Sequence, residues 1–240
     1  KRPSFPFETV AAAIAFSPRL EAVLSEAKRL ADCTNASLLL IHVGEKTPAK
    51  EEQLDNLLSK LKVDSNRSRV IWMEGEPVET ILKLCKLNIV DVLVLGALEK
   101  ENIFKYYLGS VARSICRKAK CSVVLLTEPS EKPNKFKKLI VNGVDNPKPI
   151  HTIKTAVYLA EKTKVKEITV VNEINSPALA MTIADSSSKP EAFKIKKEIT
   201  EHETSRLENI VSKAETENVK IKVKMVTGKP GYAISKYARE

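Results

Sequence analysis

Short continuous apolar runs alternate along this chain with stretches in which apolar residues return every three or four positions. Val10 to Phe16 is a run of strand length, and Ser17-Pro18 follows as a predicted helix start, with Ser as the N-cap and Pro in the first turn. Leu20, Val23, Leu24, Ala27, Leu30 and Ala31 then mark one helical face that ends near Asn35. Leu38 to Val43 predicts a second strand and Glu51 to Leu61 a helix, with Leu54, Leu57, Leu58 and Leu61 on one side. A third strand is expected at Val70 to Met73. Gly75-Glu76-Pro77 turns from there into a helix over Val78 to Leu87. Val90 to Leu95 predicts a fourth strand, Val111 to Lys118 a helix, and Ser122 to Leu126 a fifth strand.

Glu128 to Lys135 is polar, holds two prolines, and marks a linker between residues 1–127 and 136–240. Beyond it the pattern restarts. Lys138 to Val144 is a predicted strand, Pro147 and Pro149 open a helix, and Ile153, Val157, Leu159 and Ala160 carry its apolar side. Ile168 to Val171 and Lys220 to Val226 are further strands, separated by the Ser-rich segment Ser176 to Pro190 and a long charged helix over Glu191 to Asn218. A helical turn is expected at Ala178 to Ile183.

Spacing supports an internal repeat. Pro18 and Pro147 lie 129 apart, as do Leu30-Ala31 and Leu159-Ala160. Gly75-x-Pro77-x-x-x-Ile81 returns as Gly228-x-Pro230-x-x-x-Ile234 at an offset of 153, the difference falling in the Ser-rich segment and long helix. The second copy reaches Glu240 partway through its pattern, so a longer parent protein is expected. Strands alternating with helices, and strands apolar on both faces, predict an α/β fold with two doubly wound parallel five-stranded sheets, the second incomplete in this chain.

Composition narrows the classes. Of 240 residues, 43% are hydrophobic, which argues against a disordered chain. No apolar run approaches the roughly 18–20 residues of a membrane-spanning helix. No signal-like segment opens the chain, so a soluble, cytoplasmic location is expected. The four cysteines (Cys33, Cys85, Cys116 and Cys121) form no Cys-x-x-Cys pair, and with His42, His151 and His202 they show no zinc-like spacing. They are expected to be reduced, and no metal site is expected. Cys116 and Cys121, five apart, would face different sides of a helix.

The net charge is +10, with 21 basic against 17 acidic residues over 1–135 and 19 against 13 over 136–240. The excess is spread through mixed Lys/Glu surfaces, including Lys220, Lys222 and Lys224 on one predicted strand face. Aromatics make up only 5% of the chain. Nucleic-acid binding is therefore not expected. Catalytic motifs are also lacking: there is no Gly-x-Ser-x-Gly elbow, Gly-x-x-x-x-Gly-Lys-Ser/Thr loop or His-Glu-x-x-His helix, and an enzyme is not expected. Glu198 and His202 share a charged helix face, and Trp72 is expected in the core.

The segment with chemical content is Val92 to Glu99, followed after nine residues by Gly109-Ser110-Val111. A Gly at the carboxyl end of a strand lets backbone turn sharply and approach a ligand. A Gly-Ser pair at a helix start aims free N–H groups and a hydroxyl at an anion. Two readings stay open on spacing alone: a phosphate cradle, or a turn at Gly96 and an N-cap at Ser110.

This segment resembles the universal stress protein family, whose pattern is a strand, Gly-x-x-Gly, nine residues, and Gly-Ser or Gly-Thr opening the last helix. Tyr107 to Ala112 and Ala119 to Leu126 are similar to the family's closing helix and strand. The likeness covers residues 7–127 well and 136–240 as a partial second copy. It implies an adenine-nucleotide-hydrolase-like fold and a regulatory protein that binds ATP or AMP, with Mg²⁺, and acts in stress response through protein contacts. It places Gly96, Gly109 and Ser110 on the phosphate side, Val43 beside the adenine, and Val111 among the nucleotide-binding residues. Asp145 matches the family's Asp at the end of the first strand, so the second copy is expected to hold the better nucleotide site and the first a weakened one. The first copy departs from that pattern, with Ala15 in place of the Asp and Glu99 in place of the second Gly. The alternative is a degenerate module that binds no nucleotide and works through self-association, pairing of the two repeats along Ser122 to Leu126, or contact with another protein such as a transporter.

Overall fold

A computed structural model describes residues 5–97, 109–143, 149–175, 189–214, 216–228 and 232–239. The chain divides into two compact units, Lys1–Asn134 and Lys135–Glu240.

In the first unit, strands β1 (Thr9–Ile14), β2 (Ser37–Val43), β3 (Ser68–Met73), β4 (Val92–Gly96) and β5 (Ser122–Leu126) form one sheet in the order β3-β2-β1-β4-β5. Every neighbouring pair is parallel. The connecting helices are α1 (Leu20–Thr34), α2 (Pro48–Lys60), α3 (Pro77–Leu87) and α4 (Ser110–Lys118). Alternation along the strands splits the apolar residues between two faces. Ala11, Leu39, Ile41, Leu93 and Leu95 pack with Val78, Ile81 and Leu84 of α3 and with Ala112 and Ile115 of α4. Val10, Ala12, Leu38, Leu40, Val92 and Val94 are buried on the opposite face, where α1 lies over β1, β2 and β4. Helices on both faces bury the strands twice over, which is why these strands are apolar throughout.

Local chemistry sets the helix ends. Thr47 caps α2 by accepting from the Lys50 amide, and Glu76 caps α3 by accepting from Glu79. Gly75 precedes that cap with φ +140°, a conformation that favours glycine, and a Cβ there would meet Thr80 Oγ1 at 2.7 Å. Asn35 closes α1 in the left-handed conformation. At the start of α1 the sequence expectation is corrected. Ser17 and Pro18 form a turn, the helix begins at Leu20, and the N-cap position is Arg19 with no side-chain cap. Likewise β1 ends at Ile14, two residues before Phe16, which turns into an aromatic cluster instead of continuing the strand. On α2 only Leu54 of the expected apolar row is buried.

In the second unit, β6 (Leu139–Asn142), β7 (Glu167–Asn175) and β8 (Lys220–Gly228) make a parallel sheet in that order. Helix α5 (Pro149–Thr163) supplies Ile153, Val157 and Ala160 to its core, and α6 (Lys189–Val211) supplies Leu207 and Val211. Helix α6 stops at Val211, short of the expected Asn218. Lys220, Lys222 and Lys224 are exposed on alternate positions of β8, and Lys222 pairs with Glu167 at 2.8 Å. Helix α7 (Ala233–Arg239) follows β8, and the Glu173 carboxylate of β7 accepts from its Ile234 amide. The helical turn expected at Ala178 to Ile183 lies outside the described residues.

Candidate functional site

The strand order of the first unit reverses between β1 and β4. At such a point the connections leave to opposite faces and open a crevice beyond the strands' carboxyl ends. A cavity of about 400 Å³ occupies that position. Its size is at the lower end of small-molecule sites, which span about 300–1,000 Å³. Ile14 lines it from the end of β1 with Ala15 and Ser17 just beyond, His42 and Val43 from β2, and Leu95 and Gly96 from β4 with Ala97 just beyond. Gly109, Ser110 and Val111 close it from the start of α4.

Helix α4 gives this cavity its polarity. Gly109 holds the N-cap position and contributes no side-chain cap. Helix geometry leaves the amides of Ser110, Val111 and Ala112 without intrahelical acceptors, at the positive end of the helix dipole. The Ser110 hydroxyl is exposed beside them. This arrangement turns hydrogen-bond donors and the positive end of the helix dipole toward the cavity. Gly96 serves packing as well, because a Cβ there would lie 3.2 Å from Val23 Cγ2 of α1.

Arg19 adds a cation at the rim. Its guanidinium donates one N–H to the Ala97 carbonyl and another to Thr127, both at 2.5 Å, fastening the start of α1 to the ends of β4 and β5. At the β2 side, His42 is buried and donates from Nδ1 to the Ile14 carbonyl at 3.1 Å, while Nε2 has no partner among the described residues. Phe16 stacks on Trp72 with ring centroids 5.6 Å apart, and His42 meets both rings edge-on. Trp72 is half-buried in this cluster, which corrects the expectation of a core tryptophan.

Val43, Gly96, Gly109, Ser110 and Val111, separated by up to 68 residues in sequence, line one cavity. Asp145 and Glu99 lie outside the described residues. Sequence reasoning missed Arg19 and His42. A lone Arg after a Ser-Pro turn and a lone His in an apolar strand carry no motif, and only the fold brings them to the cavity. Among the described residues no group of three or more His, Cys, Asp or Glu side chains is placed to hold a metal ion, and no helix is long and apolar enough to cross a membrane.

The universal stress protein family model matches residues 6–127, which is half of the chain and contains this cavity. The chain belongs to the universal stress protein family. Similar solved structures include a functionally unknown protein from Pseudomonas aeruginosa PAO1, 14% identical, with 97% of this chain and 78% of that one covered and a TM-score of 0.67. A universal stress protein from Archaeoglobus fulgidus DSM 4304 is 16% identical over 96% of this chain and 81% of its own, with a TM-score of 0.63. A universal stress protein in complex with cAMP is 20% identical over 50% of this chain and 97% of its own, with a TM-score of 0.43. The first two likenesses, at such low identity, concern the α/β fold.

Proposed function

We propose that the first unit binds an adenine nucleotide, ATP or AMP, in the cavity between β1 and β4, and that the protein acts as a nucleotide-responsive regulator of other proteins and not as an enzyme. One observation carries this reading. The five residues that the family pattern assigns to the base and phosphates in this unit converge on one cavity at the reversal of strand order. The phosphates belong at the start of α4, where amides and the Ser110 hydroxyl offer donors. The base belongs toward Val43, on the side where His42 lies. Arg19 supplies positive charge at the rim, on a backbone that has Ala15 where relatives that bind ATP carry Asp.

A second reading rests on β5. This strand is the edge of the sheet, and all five of its residues are half-buried, so its free side suits pairing with another strand. Self-association along β5 is the proposed route by which a bound nucleotide would alter protein contacts. Native mass spectrometry of the freshly purified chain tests the first reading. Co-purified adenine nucleotide supports it. A bare protein mass, together with no heat on adding millimolar AMP or MgATP, leaves the β5 interaction module as the function.

A further inference from the structure

A further cavity, of about 620 Å³, lies at the other end of the first unit's sheet, between the last turns of α3 and α4 and just before β4 and β5. It shares no lining residue with the nucleotide cavity. Leu82, Cys85, Ile89, Val90 and Cys121 give it an apolar lining, and no aromatic ring takes part. Cys121, expected from the sequence on a helix with Cys116, reaches this lining because α4 ends at Lys118.

The rim is basic. Lys83, Lys86, Lys118 and Lys120 border the apolar lining, and all four are exposed. Lys86 and Lys118 stand in the last turns of their helices, where a cation complements the dipole. Lys83 and Lys120 stand outside that role. None of the four has an ion-pair partner among the described residues. The carboxylate in the lining, Asp91, is already engaged by the Glu8 and Thr9 amides.

Ile89 supplies a second observation. It follows the end of α3 with φ 51° and is 64% exposed. Asn35, Lys62 and Lys164 take the same left-handed conformation past the ends of other helices. Asn and Gly enter that region easily, whereas a β-branched side chain is strained there. The turn does not call for an isoleucine, but an apolar wall to the cavity does.

We propose that this cavity binds an amphipathic anion, an alkyl chain that ends in a carboxylate. Its volume falls within the range of small-molecule sites, about 300–1,000 Å³. The chain lies on the apolar lining and leaves water as it enters. Lysine stems extend that apolar surface while their ammonium groups stay in water, where they meet the carboxylate. A nucleobase would find no ring to stack on. Cations grouped around a concavity, and not over a flat face, suit one free chain better than a bilayer surface.

Titration of the full chain with submicellar octanoate tests this, with 1-octanol and acetate as the uncharged and chainless controls. Octanoate should bind one to one with a dissociation constant below about 1 mM, at least about tenfold tighter than octanol, and acetate should not bind. Bound octanoate should slow the alkylation of Cys121, which lines the cavity, and leave the exposed Cys116 unaffected. Ile89→Asn suits the positive φ, so its melting temperature should hold, while octanoate binding weakens at least about tenfold with the loss of the apolar wall. The double variant Lys83→Gln, Lys120→Gln should weaken octanoate similarly and leave octanol unchanged. Saturating AMP should alter none of these results, which separates this site from the nucleotide cavity. No binding at millimolar octanoate, equal affinity for octanol, displacement by AMP, or binding only to vesicles that contain phosphatidylglycerol would each overturn the proposal.

Discussion

The Arg19 guanidinium is hydrogen-bonded to the Ala97 carbonyl across 78 residues of sequence, and its second arm reaches Thr127. One side chain thus joins the start of α1 to the two strand ends that border the cavity. The planar fork suits two carbonyls at once, which an ammonium group cannot match. Arg19→Ala is therefore expected to lower stability by about 1.5–3 kcal/mol, the range for hydrogen bonds that involve a charged group. It should also weaken AMP binding by about tenfold, through lost charge and a looser rim. Arg19→Lys should restore only part of either loss. Urea denaturation and calorimetry on the three proteins check this, and full rescue by Lys would show that charge alone matters.

Gly96 lies where β4 passes closest to α1. A methyl group there would sit 3.2 Å from Val23 Cγ2. Gly96→Ala should destabilise the chain by about 1 kcal/mol, the lower end of overpacking costs. Adding Val23→Ala frees that space. The double variant should be more stable than the sum of the two single effects, with a coupling of about 0.5–1 kcal/mol. Thermal unfolding of the four proteins measures the coupling, and strict additivity would mean that Val23 shifts away freely.

Asp91 is the polar exception in the apolar run Val90 to Leu95, and the structure explains it. Its carboxylate accepts from the Glu8 and Thr9 amides at 2.8 and 3.1 Å, tying the loop before β4 to the start of β1. Asp91→Ala leaves two backbone donors without that acceptor. A loss of about 2–4 kcal/mol is expected, seen as a lower urea midpoint with an unchanged slope. A change below about 0.5 kcal/mol would mean that water replaces the carboxylate fully.

Thiol chemistry gives a pH prediction. The neighbouring Cys85 thiol holds Cys121 below the usual range, whereas burial raises Cys116. A lowered value means more thiolate at a given pH. Alkylation of Cys121 by iodoacetamide should therefore persist to lower pH than that of Cys116. Cys85→Ala removes that neighbour, and the Cys121 profile should move to higher pH. Coincident profiles for the two cysteines would contradict that influence.

The strands, their parallel pairing and the convergence of Gly96 with Gly109-Ser110 were legible in the sequence because each has a local cause. Double burial makes strands continuously apolar, and turn residues punctuate them. The rest depends on tertiary placement. Ser17-Pro18 has the chemistry of a helix start, yet the helix waits until Leu20, after the Arg19 side chain has reached β4 and β5. Phe16 has strand-like character but is drawn out of β1 to stack on Trp72. Cys85 and Cys121 are 36 residues apart and share no motif, and only the fold brings both to one core cluster.

The central claim is that a nucleotide places its phosphates at the start of α4. Val111→Asp isolates it. Val111 is 37% exposed, and a carboxylate in the first helical turn suits the dipole, so the fold should hold. The same carboxylate would repel a phosphate at that position. Calorimetric titration with AMP should give the wild-type chain a dissociation constant below about 100 μM (roughly −5.5 kcal/mol). Val111→Asp should weaken this by at least about tenfold with an unchanged melting temperature. Equal affinities for the two proteins, or no heat from the wild type at millimolar AMP, would contradict the account.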